Sequence, residues 1–154
     1  MIREATDKDY MQICAVWKAA MEEMYIDGSE IIPTMKSVTA ALTDIWQIIA
    51  GTQSGIVMLC EEDSLVVGCQ VLIEATFNVS TRFGKTMSGS GIYVDPQYRK
   101  RGIYTGMWKK SIETARERGY DTIVGFSMHD NEFVFNAMSG MGFRPHTNTL
   151  SLEV

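Results

Sequence analysis

The stretch Gly91-Ile92-Tyr93-Val94-Asp95-Pro96-Gln97-Tyr98-Arg99-Lys100-Arg101-Gly102-Ile103-Tyr104-Thr105-Gly106-Met107-Trp108 decides the fold. A β-rich run from Lys85 to Val94 meets Pro96, which cannot donate to a sheet ladder, so a strand ends there. From Gly102 to Arg118, the residues Ile103, Met107, Ile112 and Ala115 recur at spacings near 3.6. Lys109, Lys110, Glu113, Arg116 and Glu117 fall mostly outside that face. The order is strand, short basic loop, amphipathic helix. The first amides of such a helix lack an internal acceptor and its dipole adds partial positive charge, so the junction suits a pyrophosphate. Gly102 lets the backbone approach a ligand closely, and Arg99, Lys100 and Arg101 add charge. Taken alone, the same residues also make an ordinary basic surface turn.

Outward from this stretch the chain alternates in period. Thr6 or Asp7 can cap a first helix over 8–24, with Met11, Cys14, Ala15 and Met21 at roughly helical spacing. Gly28 and Pro33 break it. Ser37 or Thr39 opens a second helix through Ala41, Leu42, Ile45, Trp46 and Ile49, closed by Gly51. Residues 56–60 and 65–74 are β-rich and joined by the acidic turn Glu61-Glu62-Asp63-Ser64, which reads as a hairpin. After Gly119 stops the amphipathic helix, Thr122 to Met128 reads as a strand, Glu132 to Met141 as a helix and Thr147 to Val154 as a last strand. The expected fold is α/β, one domain over 1–154 with a mixed, mostly antiparallel central sheet flanked by helices.

Composition narrows the function. The 154 residues are 45% hydrophobic and 21% charged, enough apolar content for one core. The formal net charge of −5 leaves no global basic field to hold nucleic acid by counterion release. Cys14, Cys60 and Cys69 form no CxxC pair and sit in apolar stretches, so they read as free thiols in a reducing cytoplasm, with no metal site. The first residues lack an apolar leader core, and no run approaches the ~18 apolar residues of a membrane span. The expectation is a cytoplasmic protein with neither nucleic acid nor membrane as partner.

The decisive stretch resembles the acetyl-CoA motif of the GNAT N-acetyltransferases. In that family a strand ending V-x-P leads to a Q/R-x-x-G-x-G/A loop, and here Val94-Asp95-Pro96 leads to Arg99-Lys100-Arg101-Gly102-Ile103-Tyr104. A second segment, Asn131 to Gly142-Phe143, is similar to the family's downstream N-x-x-A-x-x-x-Y-x-x-x-G-F helix. Together the two matches span about residues 88–145. The resemblance implies acetyl-CoA as cofactor, with the amides of residues 99 to 104 on its pyrophosphate. It also implies backbone pairing of Ile92, Tyr93 and Val94 with the pantetheine arm, Thr105 as a hydroxyl donor to phosphate, and Asn131 beside pantetheine or pyrophosphate. Two departures stand out. Tyr104 replaces a glycine or alanine, so its side chain must turn away from the phosphates or lie over the cofactor. Met138 stands where many relatives carry the tyrosine that reprotonates the thiolate, and a thioether has no proton to give.

The implied reaction is attack of a primary amine, on a small molecule or peptide, directly on the thioester carbon. It needs a proton acceptor and an oxyanion donor. By resemblance the donor is a backbone N–H near Tyr93 or Val94. For proton transfer the candidates are Glu74 at the end of a strand, His129 after another, and the hydroxyl of Tyr93. Glu22 and Glu23 could line the acceptor mouth or form a solvated helix face. The competing expectation is a catalytically degenerate acyl-CoA-binding or protein-interaction module. The acceptor loop near Gly28 to Lys36 carries no recognisable signature, and the run Phe77 to Gly84 could protrude and pair two subunits as a homodimer.

Overall fold

The computed structural model describes residues 1–26, 35–75, 84–127 and 131–145. The elements are β1 (Ile2–Glu4), α1 (Tyr10–Ile26, after a 3-10 turn over Asp7–Asp9), α2 (Met35–Ile49), β2 (Gly55–Glu62), β3 (Leu65–Ala75), β4 (Thr86–Val94), α3 (Ile103–Glu117), β5 (Thr122–Val124) and α4 (Glu132–Gly140). One sheet has the order β1-β2-β3-β4-β5. Its first four strands are antiparallel neighbours, and β4 pairs β5 in parallel. The α/β architecture with a mixed, mostly antiparallel sheet is as expected from sequence.

Both faces of the sheet are covered, which is why β2 reads as an unbroken apolar run rather than an alternation. Ile56, Met58 and Cys60 point to one side and pack with Ile103, Met107, Trp108 and Ala115 of α3 and Met138 of α4. Val57 and Leu59 point to the other and pack with Ile13, Val16 and Trp17 of α1 and Ile45 of α2. Each buried Val, Leu, Ile or Met among them contributes about 1.5–3 kcal/mol, and the two layers fix α3 and α1 on opposite faces of β3 and β4.

Two boundaries differ from the sequence expectation. The strand expected to run to Met128 stops at Val124, because its partner turns away: Val71 faces Gly91 while Leu72 faces Gly89, so Ser90 is an extra residue in β4. A bulge of this kind bends its strand and increases the local twist. Pairing with β5 ends at Ser88↔Val124, and beyond it the two strands part. At the other edge, Ile2–Glu4 forms β1 on β2, with Ile2 opposite Cys60. The loop near Gly28, the hairpin from Phe77, His129 and the strand expected from Thr147 lie outside the described residues.

Candidate active site

The basic loop is built as its sequence suggests. Asp95 accepts from the Gln97 N–H at 2.9 Å and caps a 3-10 turn over Pro96–Tyr98. The chain then passes through two left-handed residues, Lys100 at φ +63° and Gly102 at φ +78°. The first helical bond of α3 runs from Gly106 N–H to the Gly102 carbonyl at 2.8 Å, so the amides of Ile103, Tyr104 and Thr105 have no intrahelical acceptor. No side chain caps this end, and nothing lies within 4 Å of where a Cβ on Gly102 would stand. A bare, open helix start of this kind takes an anion.

The basic side chains do something other than wait for phosphate. Arg99 donates Nε to the Val94 carbonyl at 2.8 Å and Nη2 to Glu23 at 2.7 Å, with its guanidinium 5.5 Å from the centre of the Tyr93 ring. Arg101 reaches Glu62 at 3.3 Å and lies over Tyr98. Among the described residues, Lys100 alone of the three lacks a carboxylate partner. Burial first, and the neighbouring Glu23 carboxylate second, push the Tyr93 pKa up to about 12. Glu23, held mainly by Arg99, stays below the usual carboxylate range.

Beside the loop, β4 and β5 stop pairing after Ser88↔Val124, with the Trp108 ring at the point where they part. The benzo edge of Trp108 comes 3.4 Å from a Cβ position at Gly89 and also at Gly125. On the opposite face Trp17 comes 2.7 Å from a Cβ position at Gly91, so only glycine fits there without moving the indole. Past Ser88, among the described residues, the edge of β4 through Ile92, Tyr93 and Val94 has no strand beside it.

A strand edge opening onto the uncapped start of a helix is a place for a long ligand with amide groups at one end and phosphates at the other. The sequence of residues 1–133 matches the family model of the acetyltransferase (GNAT) domain. The chain belongs to the GNAT acetyltransferase family. As a GNAT enzyme it uses acetyl-CoA, and the loop fits that cofactor, with free amides at the start of α3 and open space at Gly102.

Solved structures share the fold across the whole length. A mutant of the BH1408 protein of Bacillus halodurans is 19% identical, with 100% of this chain and 99% of that one covered and a TM-score of 0.78. A predicted acetyltransferase from Clostridium acetobutylicum, solved with acetyl-CoA, is 18% identical over 99% and 95% of the two chains, with a TM-score of 0.77. An aminoglycoside 6'-N-acetyltransferase from Acinetobacter haemolyticus is 14% identical over 100% and 97%, with a TM-score of 0.73. No curated protein matches the sequence.

Glu74 lies on the α3 side of the sheet. Leu72, two residues earlier, packs in the α3 layer while Ile73 packs in the α1 layer, so alternation turns Glu74 toward α3. Its carboxylate accepts from the Tyr120 hydroxyl at 2.6 Å, which lowers its pKa and makes it a poorer base. Tyr120 in turn is raised to about 12, by burial and then by that bond. Asn131 caps α4, accepting from Val134 N–H at 3.1 Å. Tyr104 turns its ring toward α4, 5.8 Å from Phe133, and so clears the phosphate end. Met138 is buried against Gly125 of the strand end and carries no donor. Sequence reasoning missed the Arg99–Glu23 pair and the tryptophan wedges, since both join residues far apart in the chain.

Proposed function

We propose that residues 1–154 fold as one domain that transfers the acetyl group of acetyl-CoA to a primary amine by direct attack. The observation that carries this reading is the open β4 edge leading to the uncapped first turn of α3. The amides of Ile103, Tyr104 and Thr105, with the loop residues Arg99, Lys100, Arg101 and Gly102, take the pyrophosphate. The Thr105 hydroxyl stands on the same turn. The edge of Ile92, Tyr93 and Val94 pairs with the pantetheine arm, and Asn131 closes the other side at the start of α4.

When bound, acetyl-CoA supplies an activated acyl carbon. The chain's part is to hold an amine against that carbon and to offer donors as negative charge develops on oxygen. A backbone N–H at Tyr93 or Val94 is the proposed oxyanion donor. Tyr93, a neutral phenol whose pKa burial and the Glu23 carboxylate raise, is the proposed proton carrier on the α1 side, and His129 is the proposed base. Glu74 is assigned to holding Tyr120. Primary amines are the acceptor class, and the aminoglycoside enzyme among the similar folds makes amino sugars a first panel to try. A reducing compartment such as the cytoplasm suits the free cysteines at 14, 60 and 69.

The test is chromatographic detection of CoA released by the pure protein from acetyl-CoA, with amino sugars, simple alkylamines and peptides as acceptors. Release that depends on the amine, with the acetylated amine formed in equal amount, is the expected result. Tight binding with no release across the panel would instead favour a degenerate acyl-CoA-binding module, the reading that Met138 supports.

A further inference from the structure

Trp17 of α1 meets β4 from the face opposite α3. Its benzo edge stands 2.7 Å and 3.0 Å from where a Cβ on Gly91 would be, and the three atoms nearest that point all belong to this one indole. Gly91 is not among the left-handed glycines, so its backbone suits any residue. The indole alone excludes a side chain there.

The ring has little room to yield. Trp17 is 5% exposed and packs with Ile13, Val16 and Val71, and Val71 is the residue that faces Gly91 across the ladder. Close packing of this kind transmits a displacement instead of absorbing it. Gly91 follows the extra residue Ser90, so the contact falls where β4 bends.

Further along, α1 meets the end of the same strand again, because Glu23 holds Arg99 and Arg99 holds the Val94 carbonyl. From Trp17 to Glu23 the helix rises about 9 Å, and from Gly91 to Val94 the strand advances about 10 Å. The two spans match, so α1 brackets the edge of Ile92, Tyr93 and Val94 at both ends.

We propose that Trp17 is a positioning residue for acetyl transfer: seated on Gly91 at the bend of β4, it sets where the edge of Ile92, Tyr93 and Val94 lies relative to the phosphate loop. The inference rests on the proposed reading that this edge takes the acylated arm. Trp17 acts through the β4 backbone and touches neither cofactor nor acceptor. Placement matters because a shift of about 1 Å at reacting groups costs roughly 100-fold in rate.

Trp17→Phe withdraws part of the ring from Gly91. Gly91→Ala drives a methyl group into the ring, and the double variant puts that methyl in the space the smaller ring leaves. Calorimetric titration of wild type and the three variants with acetyl-CoA and with adenosine 3',5'-bisphosphate, which carries phosphates and no arm, tests the role. Each single variant should bind acetyl-CoA about tenfold more weakly and the bisphosphate as wild type does, and the double variant should recover to within about threefold of wild type. A merely structural role would not split the two ligands. Unchanged acetyl-CoA affinity in Trp17→Phe, an equal loss for both ligands, or a double variant no better than the worse single one overturns the role of Trp17 and leaves the transferase reading intact. If Gly91→Ala does not fold, Trp17→Phe decides alone: a loss confined to acetyl-CoA upholds the role and any other result overturns it. Failure of the wild type to bind acetyl-CoA would overturn the transferase reading itself.

Discussion

Arg99 of the phosphate loop donates to Glu23 near the end of α1 at 2.7 Å, across 76 residues of sequence. The same guanidinium holds the Val94 carbonyl, so one side chain ties the end of β4, the loop and the first helix together. The pair is partly exposed, at 40% and 30% of the two side chains, and its direct worth to stability is accordingly small.

Glu23→Gln should therefore leave thermal stability within about 1 kcal/mol of wild type. It removes the negative charge that holds the Arg99 guanidinium, so the expected effect is on the site: a rise of about fivefold in the KM for acetyl-CoA, corresponding to roughly 1 kcal/mol. Steady-state kinetics and a melting curve on one preparation check both halves.

Gly102 and Gly119 stand at opposite ends of α3, at φ +78° and φ +73°, each with open space around a Cβ. Alanine at either position carries the same left-handed strain, about 1–2 kcal/mol. Only Gly102 adjoins the free amides at the start of α3. Gly102→Ala should weaken acetyl-CoA by about tenfold or more, or at least 1.4 kcal/mol, and Gly119→Ala should not. Titration of both variants separates strain from obstruction.

Met138→Tyr would place a hydroxyl where the resemblance expects one, but the site is already filled. The methyl end of Met138 packs against Gly125, with Trp108 behind it. The larger ring should overpack this corner and destabilise by about 1–3 kcal/mol. No gain in kcat is expected, and a large gain would show that the missing donor limits the present chain.

These cases show where the sequence was informative. Pro96 ending a strand and Gly102 opening an amphipathic helix are local signals, and the loop between them could be read directly. The extra residue at Ser90 leaves no mark in composition, so the early end of β5 was invisible. Three residues, Ile2–Glu4, are too few to show a period. The roles of Glu23 and Tyr120 depend on partners distant in the chain, and the pairing of Trp17 with Gly91 appears only once α1 lies on the sheet.

Asp9 gives the pH dependence. Arg3 grips its carboxylate through two bonds of 2.8 Å, and Thr6 donates both its N–H and its hydroxyl to it at 2.8 and 2.9 Å. The Arg3 bonds, ahead of any other cause, hold Asp9 far below the usual carboxylate range. A lowered folded pKa means that this contribution is complete above the unfolded value near ~3.9 and is lost as pH falls below it. Asp9→Asn should cost about 2 kcal/mol at pH 7, less than a fully buried pair because Arg3 is 30% exposed, and the difference should shrink toward pH 3. Denaturant melts across pH 3 to 7 measure it.

In the proposed reading, acetyl-CoA seats at the first turn of α3 and along the open edge of β4. The direct measurement is calorimetric titration of the folded, cofactor-free protein with acetyl-CoA. One saturable site per chain, with a matching rise in melting temperature, is the predicted result; a folded sample that gives neither heat nor stabilisation would contradict it.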